Sequence, residues 1–256
     1  MTSGRRSTQS VRGEQAHREG LPDTIAIDGP AGAGKSTIGR LLAERLGYIF
    51  LDTGAMYRAV SLEAVRKGIT TADGAALAEL AETLPIVIEK PAPGETDGRA
   101  YTVRIAGEDV TWDLRRPDVE AVVSDVASWP DVRAALVRQQ RSMARKWPVV
   151  MVGRDITTEV LPDAELKIYL EASLEERARR RHEELLERGR DVTYELVEKE
   201  IAHRDYLDTH REAGALKKAP DAIVLDSDGF SIEETLARVL RIVHDWRAPK
   251  QPTIAE

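Results

Sequence analysis

Gly29-Pro30-Ala31-Gly32-Ala33-Gly34-Lys35-Ser36-Thr37 sets glycines, one lysine and two hydroxyls within a short stretch of chain. The spacing Gly-x-x-x-x-Gly-Lys-Ser is that of a phosphate-binding loop. Glycines let the backbone wrap a phosphate and aim its N–H groups inward, and a helix starting at the loop adds the positive end of its dipole. Lys35 would neutralise charge at the β- and γ-phosphates, and Ser36 would hold Mg²⁺. A chance glycine turn is the bland reading. It does not explain why an apolar run, Ile25 to Ile27, precedes the loop, or why Ile38, Leu41, Leu42 and Leu46 follow at helical spacing.

Such a loop must sit between a buried strand and a helix, and the chain supplies more of both. Tyr48 to Asp52 is a second strand signal, so the pair forms a βαβ unit with parallel strands. Helical patterns cover residues 56–65 and 75–84. From Pro85 the pattern changes. Short strand signals at 85–89 and 100–105 flank a turn-rich stretch, Pro91 to Gly98, and a further turn at Gly107-Glu108. These predict a small antiparallel insertion. Helices are expected at 117–128 and 131–146, then a continuous apolar run from Pro148 to Gly153 that suits a central strand buried on both faces. Strands at 166–170 and 222–226 bracket charged helices at 174–188 and 194–210, and a last helix runs from 232 to about 246.

The bulk numbers set outer bounds. The 256 residues carry a formal net charge of -7, with 32% charged and 42% hydrophobic residues. That balance is ordinary for a soluble protein and argues against nonspecific nucleic-acid or anionic-membrane binding. There is no cysteine, so neither a disulfide framework nor thiol chemistry is expected. No apolar run nears the roughly 20 residues of a membrane helix, and the first residues lack the apolar centre of a signal peptide. A cytoplasmic monomer is expected.

The run Ile25 to Ser36 resembles bacterial cytidylate kinases. So do Leu51-Asp52-Thr53-Gly54-Ala55-Met56-Tyr57-Arg58, Val152-Gly153-Arg154-Asp155, His203-Arg204-Asp205, and Leu225-Asp226-Ser227 with Ser231-Ile232-Glu233-Glu234. The loop alone is shared by many nucleotide-binding enzymes; the second and third runs together are far more specific. The resemblance covers roughly residues 24–246. It implies an α/β P-loop NTPase fold of the adenylate-kinase-like type, in three layers around a central parallel five-stranded sheet, with a small antiparallel insertion and a helical lid. It implies core segments at 23–84 and 145–247, a nucleoside-monophosphate-binding insertion at 85–144, and lid and clamp helices at 178–212. Residues 1–22 would be a disordered extension and 248–256 a flexible tail. The implied chemistry is phosphoryl transfer from ATP, with Mg²⁺, to CMP or dCMP.

A kinase needs a cationic cradle for the acceptor phosphate as well as the donor loop, and arginine's planar fork suits it. Arg58 lies one helical turn beyond the second strand. On pattern alone it is an exposed helix arginine; the resemblance makes it the group gripping the CMP phosphate. Arg204, Asp208 and Arg211 fall at i, i+4 and i+7, on one helix face. They form either a surface ion pair with a spare arginine or a clamp. In the family pattern, Arg204 and Asp208 meet the ribose and Arg211 the phosphate. Arg154 and Asp155 end a central strand, where open α/β sheets place ligands. The resemblance puts Asp155 at the exocyclic amine of cytosine, with Ser124 and Arg133 completing the pocket. Thr53 stands where some relatives have serine. The lid should bring charge to the donor phosphates. Arg177 and Arg180, on one face at i and i+3, are the expected donors, and Arg179 and Arg181 are expected to be solvated. The expected catalytic set is therefore Lys35, Arg177, Arg180 and Arg211.

Other classes are less well served. A GTP-dependent switch needs an Asn-Lys-x-Asp to read guanine, and the chain contains no asparagine. A noncatalytic ATP-binding module need not carry a second arginine set. Among kinases of the same fold, shikimate kinase would not carry the insertion. Adenylate kinase would not carry the Asp-Thr-Gly-Ala-Met-Tyr-Arg run.

Overall fold

The computed structural model describes residues 20–247. The expectations for most of the N-terminal extension and for the tail lie outside the described residues. Leu21 and Pro22, inside the expected extension, are already packed: Pro22 is buried and Leu21 joins the core of the large sheet.

In chain order the elements are β1 (Thr24–Asp28), α1 (Lys35–Leu46), β2 (Ile49–Asp52), α2 (Thr53–Lys67), α3 (Gly74–Thr83) and β3 (Ile86–Glu89). Next come β4 (Thr102–Ile105), β5 (Glu108–Asp109), α4 (Pro117–Ser128), α5 (Pro130–Ala144) and β6 (Val149–Gly153). β7 (Leu166–Glu171), α6 (Leu174–Glu187), α7 (Tyr194–His210), β8 (Ile223–Asp226) and α8 (Ile232–Asp245) complete them. These agree with the sequence patterns to within a residue or two at most ends.

Five strands form one sheet in the order β2-β6-β1-β7-β8, and every pairing is parallel. Side chains alternate faces along a strand. Ile25 and Ile27 of β1, with Val150 and Val152 of β6, meet Ile38 and Leu42 of α1 and Val239 and Val243 of α8. Ala26, Val149 and Met151 face the other way, onto Ile156 and Val160. β1 and β2 do not pair with each other, because β6 lies between them. β8 has a neighbour only on its β7 side, and Ile223 and Val224 are exposed.

The small sheet, β3-β4-β5, is antiparallel as expected. It does not have a core of its own. Val103 and Ile105 of the insertion share one buried cluster with Met56, Val60 and Leu62 of α2, Leu77 and Leu80 of α3, and Val123 and Leu136 of the later helices.

Two local features bear on the site. After β6 the chain makes a wide helical turn at Ile156–Val160, which no periodicity in the sequence announces. And α7 stops at His210, so Arg211 lies just past the helix in extended backbone (φ -67°, ψ 148°).

Candidate active site

The C-terminal ends of β1, β2 and β6 lie side by side in the parallel sheet, and each hands its last residues to a different part of the candidate site. β1 ends at Asp28 and passes directly into the loop. Gly29 has φ 152°, and a side chain there would put a Cβ 1.9 Å from the Leu170 carbonyl oxygen of β7. Only glycine fits the turn. Gly34, at φ 87°, caps α1, so the N–H groups of Lys35 and its neighbours open the helix toward the loop.

Lys35 is buried, and its ammonium donates to the Pro30 carbonyl at 2.6 Å. Burial holds its pKa well below the ordinary lysine range, and Arg154 adds to this by repulsion. Arg204 is lowered by burial and then by Arg154; Arg211 is lowered by burial and then by Arg133. Buried Lys35 and the partly exposed Arg204 and Arg211 are each disfavoured by a neighbouring cation, which makes a site that gains when an anion arrives.

β2 ends in Asp52, whose carboxylate gathers several groups. It accepts from the Ser36 hydroxyl at 2.9 Å, from the Gly54 N–H at 3.0 Å and from the Tyr101 hydroxyl at 3.3 Å. Arg58, one turn into α2, lies 3.7 Å from it. Burial opposes the charge on Arg58, but Asp52, Tyr101 and Glu120 together raise its pKa above the ordinary value. The Arg58 Nε is buried without a hydrogen-bond partner. Thr53 donates its hydroxyl to the Val152 carbonyl at 3.0 Å, joining α2 to β6.

β6 ends beside the base-reading candidates. Arg133, from α5, and Asp155 form a close ion pair, both almost fully buried. The Arg133 guanidinium sits 5.6 Å from the centre of the Tyr57 ring. Burial pushes the Asp155 carboxyl up to about 6 even with Arg133 and Arg211 nearby, and burial likewise raises Tyr57 to about 12. Arg154 donates through Nε to Asp208 at 2.7 Å. Burial works against ionised Asp208, but Arg154 and Arg211 hold its pKa below the usual value.

The expected face on α7 is met in part. Arg204 points to α4, where Glu120 lies 3.6 Å away, and its Nε has no hydrogen-bond partner. Ser124 is one helical turn beyond Glu120 and half-buried on α4, which packs on α7. Arg211 cannot share the helix face by spacing, since the helix has ended. It is nevertheless 3.7 Å from Asp208, held by a 2.6 Å bond from its Nε to the Gly214 carbonyl.

Of the two arginines expected to serve the donor phosphates, the structure brings Arg177 to the loop and not Arg180. Arg177 donates to the Ala31 carbonyl at 3.0 Å and pairs with Asp205 of α7 at 2.7 Å. Arg180 is turned to Ser227, donating to its carbonyl at 2.7 Å, and to Glu176. Arg179 and Arg181 pair with glutamates on their own helix surface, as solvated arginines do. Sequence reading did not single out Asp28, Asp52, Tyr57, Tyr101 or Asp205 as site groups. Asp28, Asp52 and Tyr57 had a signal, since they abut the loop or fall inside the Asp-Thr-Gly-Ala-Met-Tyr-Arg run. Asp205 falls inside the His203-Arg204-Asp205 run, while Tyr101 had no signal beyond an ordinary strand position.

Among the described residues, no three or more His, Cys, Asp or Glu cluster to hold a metal, and no helix is long and apolar enough to cross a membrane. Mg²⁺ commonly takes only one or two protein oxygens, with water and phosphate for the rest. The Ser36 hydroxyl and the Asp52 carboxylate, 2.9 Å apart, fit that requirement.

A family model described as cytidylate kinase matches residues 25–245 of this chain. The cytidylate kinase of Chloroflexus aggregans is 52% identical over 229 residues, covering 89% of this chain and 97% of that protein. That of Roseiflexus castenholzii is 49% identical, covering 88% and 94%. A shikimate kinase structure from Acinetobacter baumannii aligns over 90% of this chain and 97% of its own at 19% identity and a TM-score of 0.44, a likeness too weak to decide anything.

Proposed function

The chain belongs to the cytidylate kinase family, and from that premise we propose that it transfers the γ-phosphoryl group of ATP to CMP or dCMP, yielding ADP and CDP or dCDP. The observation that supports the reading is the closeness of two cationic groups at the ends of the central strands. One is the glycine loop with Lys35. The other is the group of Arg58, Arg154, Arg204 and Arg211, beside a buried Arg133–Asp155 pair.

Residues 29–37 cradle the donor phosphates with backbone N–H groups. Lys35 gives up the Pro30 carbonyl and takes the β- and γ-phosphates, whose negative charge offsets the cost of burying its ammonium. Arg177, which already touches the loop at Ala31, and Arg180, after leaving Ser227, supply charge from the lid side. Ser36 and Asp52 would hold Mg²⁺, which when bound would neutralise charge on the phosphates. On the acceptor side, Arg58 and Arg211 grip the phosphate, Arg204 and Asp208 take the ribose, and Thr53 adds a hydroxyl at the edge. Asp155 accepts from the cytosine 4-amine, with Arg133 and Ser124 alongside. An oxygen of the acceptor phosphate attacks the γ-phosphorus, and the bond to the β–γ bridging oxygen breaks to release ADP. The acceptor is already anionic, so no general base is needed. Positioning and electrostatics do the catalysis.

The test is ADP release from ATP and Mg²⁺ with each ribo- and deoxyribonucleoside monophosphate in turn. CMP and dCMP should be the best acceptors. A clear preference for AMP, GMP or UMP, or no ADP with any of them, would refute the proposal.

A further inference from the structure

Asp28 is the last residue of β1, fully buried, and plays no part in the transfer described above. Its carboxylate spans the sheet. Oδ1 accepts from the Ile156 N–H at 2.9 Å. Oδ2 accepts from the Thr157 N–H at 2.7 Å and from the Thr157 hydroxyl at 2.6 Å. These are the first N–H groups of the wide turn after β6. The turn's own bonds run from Glu159, Val160 and Leu161 back to Asp155 and Ile156, so Ile156 and Thr157 find no acceptor within it. First-turn N–H groups need an outside partner, and Asp28 supplies it from another strand.

Two things decide what this group does beyond closing a turn. In the chain it is followed at once by Gly29, where the donor loop begins. In the sheet it lies opposite Gly153, one residue before Arg154 and Asp155. We infer that Asp28 is a positioning residue: one buried carboxylate fixes the turn that aims Arg154 and Asp155 relative to the loop that holds the donor. Three donors converge on it, and that is what makes a carboxylate tolerable there. An asparagine would turn an NH₂ toward at least one of those donors. The inference rests on the base-reading role given to Asp155 above.

The test compares Asp28→Asn, Asp28→Ala and Thr157→Val with the wild type, using kcat/KM for CMP and UMP, KM for ATP, and hydrogen exchange of the 154–160 amides. Thr157→Val removes one donor and keeps the backbone, so it decides the matter if the Asp28 variants do not fold. In Asp28→Asn, kcat/KM for CMP should fall about ten- to a hundredfold, with a narrower CMP-to-UMP ratio. KM for ATP should stay within about threefold, and exchange at 156 and 157 should quicken. Thr157→Val should move the same way by less. A folded Asp28→Asn with the wild-type CMP-to-UMP ratio would overturn the inference and leave Asp28 as a structural peg. A wild type that ignored CMP would overturn the proposed function instead. In that case unchanged exchange at 156–157 in the variants would still count against Asp28.

Discussion

Acid should blunt the enzyme's choice of base. In the role proposed for it, Asp155 accepts from the cytosine 4-amine best while ionised; protonated, it keeps a weaker carbonyl acceptor and gains a donor, which suits the uracil 4-oxygen. Burial lifts its carboxyl to about 6. Below that point the acceptor form falls about tenfold per pH unit, so between pH 7.5 and 5 the CMP-to-UMP ratio of kcat/KM should shrink by about tenfold. The nucleotide's own phosphate also titrates near pH 6, which lowers both rates alike and cancels in the ratio. Asp155→Asn should show a small ratio that does not change with pH. The same titration enters stability. The folded carboxyl lies above its unfolded value of 3.8, so its contribution is fully present below about pH 4 and is lost as pH rises through about 6. Relative to Asp155→Asn, the wild type should lose up to about 3 kcal/mol over that range, which urea denaturation at several pH values would read. A CMP-to-UMP ratio that is flat from pH 5 to 7.5 in the wild type would refute the reasoning.

Lys35→Ala should cut turnover by about a hundredfold or more while the apo protein keeps its stability, because the lost ammonium is buried beside Arg154; steady-state kinetics and thermal unfolding check this. Arg58→Ala and Arg211→Ala should each raise KM for CMP by about ten- to a hundredfold and lower kcat, with ATP binding nearly unchanged in a direct titration. Gly29→Ala forces a Cβ to within 1.9 Å of the Leu170 carbonyl and should destabilise the fold by about 2–4 kcal/mol in urea denaturation, with loss of ATP binding.

The elements were legible where the signal is local. The apolar run at 148–153 is β6, and the 3.6 spacing after Gly34 is α1. What stayed hidden depends on distant partners. Nothing near β1 or β2 says that β6 will separate them. The turn at Ile156–Val160 is held by a carboxylate from the other end of the chain. Helical spacing put Arg211 on a face it does not share, because the stop at His210 is set by the Leu216 N–H bonding back to the Asp208 carbonyl at 2.7 Å. Asp52 escaped the site assignment because its partners, Ser36, Arg58 and Tyr101, come together only in the fold. The strand at 222–226 is legible, but its apolar content does not reveal that it lies at an edge with Ile223 and Val224 exposed.

The strand order has a consequence for synthesis. Thr24 of β1 pairs with Val149, and Ile25 with Leu166, so the central strand has no neighbour on either side until well over half the chain has been made. At roughly 5–20 residues per second, that is a wait on the order of ten seconds with an apolar strand unpaired. The buried members of the cluster shared by α2, α3 and the insertion all lie between Ala55 and Leu136. They are complete before β6 has left the ribosome. The unit built from α2, α3 and the insertion can therefore bury its interior first, and the glycine loop after β1 takes its final shape only when the late strands slot in beside β1.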